Sequence, residues 1–198
     1  MLNRTIPFFN LILKCDEYAM LPENLPEGYR IVSYQPGIEA DWARLECAVG
    51  DFENEKEAAD YFCEKYLQSD RSDDILFLTD RTGNVIGSCI AWSDERNGKP
   101  VNSLHWLIVD EKYQGKKLGR SLCTAVMNRF YQKGGWPVYI HTQPWSWKAI
   151  LLYSSLGFRL QKSDSFAEYS NQYDDAVKTL KRILSEEQIR LLEDRSEE

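Results

Sequence analysis

Apolar and polar positions follow two different periods along the chain, which predicts a mixture of strands and helices. Short runs rich in β-branched and aromatic residues predict strands at 29–34, 75–79, 85–92, 103–109 and 137–142. Elsewhere apolar residues recur three or four positions apart and so line one side of a helix. That spacing predicts helices over 38–49, 54–66, 118–129 and 146–156. The order β-α-α-β-β-β-α-β-α predicts an α/β (α+β) fold, a mixed sheet with helices on its faces.

Turn and cap residues support these boundaries. Gly83 lies between the second and third runs, where a glycine with positive φ favours an antiparallel hairpin. Asn54 with Glu57 three residues later is typical of a helix N-terminus, and Ser146 is predicted to cap the last helix. Gly157 is predicted to end that helix.

The chain length and the proline positions predict one domain with two flanking segments. A chain of 198 residues is long enough for a single core. Residues 1–28 contain Pro22 and Pro26 and are predicted to be a lead-in segment, followed by the domain proper at 29–160. Residues 161–198 form a charged helical extension. Its apolar stripe, from Tyr173 to Leu184, is expected to pack on the domain or to pair two copies in a homodimer.

Composition excludes several classes of protein. The net charge is -7 and the isoelectric point about 5.0, which disfavours binding to nucleic acid or to anionic membranes. No run approaches the ~20 apolar residues of a membrane-spanning helix, and the short apolar run at 6–13 lacks a signal-peptide cleavage site. Five scattered cysteines and two histidines argue against zinc fingers and a disulfide framework. A cytoplasmic protein is the expectation.

The segment from Ser103 to Phe130 is a strand, a glycine-bearing loop and a helix. Such a junction directs unpaired backbone N–H groups towards an anion. Residues 111–120 carry a local charge of +3 in a chain of -7, because Lys112, Lys116, Lys117 and Arg120 face a single Glu111. The alternative is a loop of solvated lysines in which glycine only makes the turn. The glycine spacing fits neither a Walker A loop nor a dinucleotide fingerprint.

A second informative segment is the predicted helix that carries Tyr153 just before Gly157. A phenol with a pKa near 10 stays protonated at neutral pH and can donate its proton to a leaving thiolate, whose conjugate acid has a pKa of about 8.5. The alternative is a tyrosine that packs in the core.

Together these two segments resemble the GNAT superfamily of N-acetyltransferases over roughly residues 29–160. Its signatures are Q/R-x-x-G-x-G/A after the fourth strand and L-Y-x-x-x-G-F after the fifth. Gln114, Leu118 and Gly119 fit the first, with Lys117 where a glycine is usual; Leu152, Tyr153, Gly157 and Phe158 fit the second, with Ser146 in place of a frequent asparagine. The resemblance implies a mostly antiparallel sheet.

The resemblance also implies where acetyl-CoA binds as cosubstrate, with no metal. The fourth and fifth strands would splay apart around the pantetheine arm, which would bond to backbone near Ile108 and Val109. Tyr153 would be the general acid beside the sulfur, and Ser146 would line the cofactor site. The pyrophosphate would be held by the loop residues Gln114, Gly115, Lys116, Lys117, Leu118, Gly119 and Arg120.

The general base is left open by the resemblance, since a water chain often suffices. His105 is the first candidate, because it matches one histidine of a pair in arylalkylamine N-acetyltransferases; Ser103 stands at the other position. A base with a pKa near 6.5 suits removal of a proton from an ammonium group. The alternative is a histidine hydrogen-bonded within the sheet, and His141 is a weaker candidate.

The expected activity is direct acetyl transfer from acetyl-CoA to a primary amine of a small molecule or peptide. Two other classes stay open at this point: a CoA-binding regulatory module without turnover, motivated by Lys117 in the loop, and an interaction protein that uses the C-terminal helix. The acceptor loops of a shared scaffold vary, so the sequence does not identify the amine.

Overall fold

A single hydrogen-bonded sheet of seven strands, accompanied by six α-helices, forms the framework of the protein in a computed structural model that describes residues 3–68 and 71–197. The strands are β1 Leu11–Cys15, β2 Arg30–Ser33, β3 Ile75–Thr79, β4 Val85–Arg96, β5 Lys99–Val109, β6 Val138–Thr142 and β7 Arg159–Leu160. The helices are α1 Glu39–Val49, α2 Glu55–Tyr66, α3 Leu118–Lys133, α4 Trp147–Ser155, α5 Tyr173–Leu180 and α6 Glu186–Glu193.

The strand order is β2-β3-β4-β5-β6-β1-β7. Adjacent pairs β2–β3, β3–β4, β6–β1 and β1–β7 are antiparallel, and the expected mixed, mostly antiparallel sheet is confirmed. The parallel pair is β5–β6, the predicted fourth and fifth strands, whose register consists of Asn102 opposite Val138 and Ser103 opposite Tyr139. The hairpin β3–β4 is also confirmed, with Gly83 at φ +87°.

The segment expected as a lead-in, residues 1–28, contains an inner strand of the sheet. In β1, Leu11 to Leu13 and Cys15 are fully buried, with β6 on one side and β7 on the other. A strand that is covered on both faces has apolar residues at consecutive positions and does not alternate between apolar and polar ones. The sequence pattern that marks a half-exposed strand is therefore missing from β1. Lys14 interrupts the run, but its ammonium is neutralised by Asp16 at 2.8 Å.

The chain forms two compact units, and β4 and β5 contribute residues to both. The first unit consists of Met20–Trp92 and Leu104–Gln132. In its core, helices α1 and α2 pack on the strands. The Oδ1 of Asn54 accepts a hydrogen bond from Glu57 N, which confirms the predicted start of α2. The fully buried core side chains include Trp42, Leu45, Ala58, Phe62, Tyr66, Ile75, Phe77 and Ile90.

The second unit consists of the described residues up to Ala19, Ser93–Ser103 and the residues from Lys133 onward. Within it the apolar stripe expected on one C-terminal helix is divided between α5 and the turn that follows. Val177, Leu180 and Leu184 are buried, so this stripe packs inside its own unit. Helix α6 begins with a capping box formed by Ser185 and Gln188. Within the described residues, no helix is long and apolar enough to span a bilayer.

Candidate active site

The connection from β5 to α3 is held by its own polar groups. Gln114 Nε2 donates to the carbonyl of Val109 at 3.0 Å, and Asp110 Oδ1 accepts from the amide of Lys112 at 3.0 Å. Gly115 then takes φ +80° and Lys117 φ +62°. Left-handed residues in a loop are typical of the backbone nests in which successive N–H groups can bind an anion.

Lys117 is the residue that departs from the expected glycine, and its backbone still adopts the conformation that glycine favours. A side chain in the left-handed region costs about 1–2 kcal/mol. The lysine therefore keeps the loop geometry at the cost of strain. Its side chain is exposed, so the charge of its ammonium remains at the surface of the loop.

Helix α3 starts directly after this loop. Its hydrogen-bond ladder opens with the amide of Ser121 donating to the carbonyl of Lys117 at 3.1 Å. The amides of Leu118 and Gly119 precede the ladder, where the partial positive charge of a helix is largest. The stretch predicted to bind an anion therefore consists of a loop with two left-handed residues followed by a helix N-terminus, both in the first unit.

Lys116 is held against aromatic side chains. Lys116 Nζ lies 3.1 Å from Tyr29 Oη and above the rings of Tyr29 and Tyr113, at 5.7 and 5.2 Å. The hydroxyl of Tyr113 in turn donates to Asp80 Oδ2 at 2.9 Å. Hydrogen bonds from Thr82, Tyr113 and Asn84 hold the pKa of the Asp80 carboxyl well below its usual range. Lys116 thus ties the loop to the β3–β4 turn.

Strand β5 carries the candidate base and an irregular backbone. Trp106 has φ +50°, a left-handed residue within a strand, which is typical of a bulge. Its carbonyl accepts from the buried hydroxyl of Ser88 at 3.2 Å. The irregular backbone interrupts the alternation of side chains along the strand. As a result, His105 Nδ1 and Trp106 Nε1 both lie against the hydroxyl of Tyr66, at 2.8 and 2.6 Å. His105 is half-buried and Tyr66 is fully buried.

Aromatic rings cover this region from the side of α1 and α2. Trp42, Phe52, Tyr61 and Trp106 contact one another in every pairing, with centroids between 5.3 and 6.3 Å apart. One helical turn after Trp42 lies Glu46, which is 2% exposed and whose Oε1 has no hydrogen-bond partner among the described residues. Burial, with the nearby Asp51 carboxylate, raises the pKa of Glu46 well above its usual value.

The backbone expected to bond pantetheine lies at the end of β5. Ile108 is 7% exposed within the core of the first unit, and the Val109 carbonyl is taken by Gln114. Gly87 on β4 faces this stretch, and a Cβ there would come within 2.6 Å of the Ile108 carbonyl oxygen. Gly87 is therefore required for the close approach of β4 to β5.

In the second unit, Tyr153 lies in the last turn of α4. Its side chain is 5% exposed and its ring lies 6.0 Å from that of Phe158. The carbonyl of Tyr153 accepts from the amides of Leu156 and Phe158, and Gly157 takes φ +100°. The predicted glycine stop is confirmed. Helix α4 ends two residues after Tyr153, at Ser155, so Tyr153 is held in the last turn of the helix.

Two other predictions in the second unit have different outcomes. Ser146 does not cap α4 through its side chain: it ends a 3₁₀ turn, Pro144–Ser146, so its backbone lacks the extended conformation that a cap needs. Its Oγ accepts instead from Gln143 Nε2 at 3.1 Å. His141 stacks on Tyr169 at 3.5 Å, and its Nε2 lies 2.8 Å from Asn10 Oδ1. The stacking of its ring and the contact of its Nε2 both indicate that His141 has a structural role.

Sequence reasoning missed Tyr66 and Trp42 as chemical groups of this region. Each is one position of an amphipathic helix, in α2 and α1 respectively. A polar atom at a buried helical position is the sequence signal that could have marked Tyr66.

Comparison with known proteins identifies the family of this fold. Residues 40–158 match the family model described as the acetyltransferase (GNAT) family. A mycothiol acetyltransferase of Acidothermus cellulolyticus is 30% identical over 179 residues, covering 80% of this chain and 53% of that protein. A second, from Thermobispora bispora, is 28% identical and covers 68% and 48%. The chain thus spans about half the length of the curated relatives it matches.

Solved structures show the same fold at low sequence identity. A GNAT-family acetyltransferase from Colwellia psychrerythraea superposes with a TM-score of 0.61 at 12% identity, covering 78% of this chain and 53% of that one. A GCN5-related N-acetyltransferase from Sphaerobacter thermophilus gives a TM-score of 0.58 at 18% identity, with coverage of 77% and 48%.

Proposed function

The chain belongs to the GNAT acetyltransferase family, and we propose that it transfers an acetyl group from acetyl-CoA to a primary amine by direct attack in a ternary complex. The acceptor is a small molecule or a peptide. No metal takes part in this proposal. The compartment proposed is the cytoplasm.

The observation that carries the proposal is the loop between β5 and α3. Gly115 and Lys117 both have left-handed backbone, and the first amides of α3 follow at once. This cradle fits a diphosphate, because it combines backbone donors with the positive end of a helix dipole and the exposed side chains of Lys117 and Arg120. Acetyl-CoA, bound there, supplies the activated acetyl group.

Proton donation to the departing thiolate is assigned to Tyr153. A phenol with a pKa near 10 stays protonated at neutral pH, so its proton is available to the departing thiolate. The conjugate acid of the thiolate has a pKa of about 8.5, so the transfer itself is uphill by about 2 kcal/mol and is carried by the overall acetyl transfer. The support from the fold is that the end of α4 fixes the ring, which is 5% exposed. Water is thereby kept from most of the phenol.

The acceptor must lose a proton before its nitrogen can attack. Its ammonium proton has two routes, to His105 or to water. His105 can take a proton at Nε2 only when Nδ1 carries the other one, since neutral imidazole has one lone pair available. The protonation of Nδ1, which contacts Tyr66, therefore selects between the routes.

Titration calorimetry with CoA and mass spectrometry with acetyl-CoA test the two parts of this function. We expect CoA to bind well below millimolar concentration, Lys117→Gln and Arg120→Gln to weaken it, and Lys56→Gln, an exposed lysine of α2, to leave it unchanged. Absence of CoA binding at millimolar concentration would refute the proposal.

The enzyme assay uses a panel containing a polyamine, free lysine, glucosamine 6-phosphate and a short peptide. Product in many-fold excess over protein supports catalysis, whereas at most one acetyl group per chain would indicate a binding module without turnover. A thermal-shift screen of the same amines with CoA present ranks the acceptors, because ligands of the native state raise its stability.

A further inference from the structure

The hydrogen-bonded chain Trp106–Tyr66–His105 has one favoured arrangement of protons. An indole N–H only donates, so Tyr66 Oη accepts from Trp106 Nε1 at 2.6 Å. The phenol proton is then directed to an acceptor, and His105 Nδ1 lies 2.8 Å from the same oxygen. An imidazole nitrogen is a stronger base than a phenol oxygen and is the better acceptor of the two. A phenol that already accepts one hydrogen bond also donates more strongly.

We propose that Tyr66 is a positioning residue that holds His105 in the tautomer protonated at Nε2. His105 then serves acetyl transfer as a hydrogen-bond donor, and the acceptor ammonium gives its proton to water, forming the free amine and hydronium, before the amine attacks. This inference rests on the proposed function and deepens it. It gives the substrate site one fixed N–H donor on β5, suited to an oxygen atom of a bound substrate.

The fold supports this role because the contact requires an unusual backbone. Regular strand geometry would place His105 and Trp106 on opposite faces. The left-handed conformation at Trp106 brings both to one phenol oxygen, and residues in such sparsely populated conformations cluster at functional sites. Tyr66 comes from another element, the last residue of α2, and is fully buried.

An ion pair lies near this hydrogen-bonded chain. Trp92 lies 4.8 Å from the Tyr66 ring, and the Arg71 guanidinium lies 5.5 Å above Trp92. Arg71 Nε is 3.1 Å from the Asp74 carboxylate, so the two charges offset each other. This ion pair therefore adds little net charge beside the contact between Tyr66 and His105.

Nuclear magnetic resonance of the side-chain nitrogens tests the tautomer in the full chain without any substrate. The sequence has two histidines, so His105→Gln and His141→Gln assign both sets of signals, and His141 is the internal reference. At a pH where both rings are neutral, we expect His105 Nδ1 to give the signal of an unprotonated nitrogen and Nε2 that of a protonated one. A protonated Nδ1 would overturn the proposal.

Removal of one hydroxyl tests the assignment to Tyr66. In Tyr66→Phe the two His105 nitrogens should move towards the averaged signals of mixed tautomers, while the His141 signals, which report that the fold persists, stay in place. Tyr61→Phe on the same helix is the matched control and should leave His105 unchanged. An unaltered His105 tautomer in Tyr66→Phe would refute the role of Tyr66.

Turnover of the best amine of the panel separates a donor from a base. Glutamine at position 105 retains an N–H donor but has no basic nitrogen, whereas leucine has neither. We expect His105→Gln to keep at least a tenth of kcat and His105→Leu to fall at least tenfold below it. Equal loss in both would contradict the donor role. If no amine is acetylated, the proposed function fails, and the tautomer is still decided by the nitrogen signals.

Discussion

Lys117 offers a direct test of the loop geometry. Its replacement by glycine and by alanine removes the same charge, but only glycine relieves the backbone strain. Its φ of +62° lies in the region that disfavours any residue with a Cβ by about 1–2 kcal/mol. Glycine removes that strain but costs roughly 0.5–1 kcal/mol in backbone entropy relative to alanine. Lys117→Gly should therefore be more stable than Lys117→Ala, by up to about 1.5 kcal/mol. Both variants remove the same charge.

The matched control is Lys112, an exposed lysine in the 3₁₀ turn Glu111–Tyr113 of the same connection. Its φ is not positive, so the order should reverse there, with Lys112→Gly less stable than Lys112→Ala by roughly 0.5–1 kcal/mol. Urea unfolding of the four variants gives the two differences. CoA affinity, measured by calorimetry, should fall equally in the two Lys117 variants.

Alanine and glycine in the same order of stability at both positions would show that Lys117 is not left-handed in solution. The argument for a nest in this loop would then fail, since it depends on that conformation. Unequal loss of CoA affinity between the two Lys117 variants would instead indicate that backbone geometry, besides charge, contributes to binding.

Three further predictions concern other parts of the fold. Tyr153→Phe should lower kcat by about 10²-fold or more with CoA affinity unchanged in calorimetry; an unaltered kcat removes the proposed acid. Glu46→Gln should stabilise the protein increasingly as pH rises from 5 to 8 in urea titrations. The raised pKa of the folded Glu46 means that the folded state keeps a proton that the unfolded state releases, so the native protein loses stability with rising pH and the variant does not. A pH-independent difference would contradict that burial effect. Leu180→Ala should cost about 2–5 kcal/mol of unfolding free energy, whereas Leu191→Ala, at a site 45% exposed, should cost little; equal costs would refute the packing of α5.

The sequence predicted most of the strands and the loop between β5 and α3. Strand periodicity and loop glycines are local properties of the sequence, so they can be read without knowing the fold. The β3–β4 hairpin, the start of α2 at Asn54 and the end of α4 at Gly157 were all predicted from neighbouring residues. The strand β1 was missed because its burial depends on β6 and β7, which come much later in the chain.

The same limit applies to the candidate site. His105 could be singled out by residue type, but its partner Tyr66 lies on a different element, where the sequence shows it only as one position of an amphipathic helix. The left-handed backbone of Trp106, which makes their contact possible, has no sequence signal, since tryptophan does not favour it. A contact between residues this far apart in the sequence is therefore revealed only by the structure.

The placement of β1 also governs the order in which the second unit can assemble. Leu11 pairs with Thr142 and Leu13 pairs with Leu160. The ribosome therefore makes β1 well before either of the strands with which it pairs. Pairing over such separations is slow, because a long loop has to close before any contact forms. During translation, an apolar strand with two open edges is exposed to solvent and to other chains. Expression conditions that slow aggregation, or a chaperone that covers residues 11–15, should therefore raise the yield of folded protein.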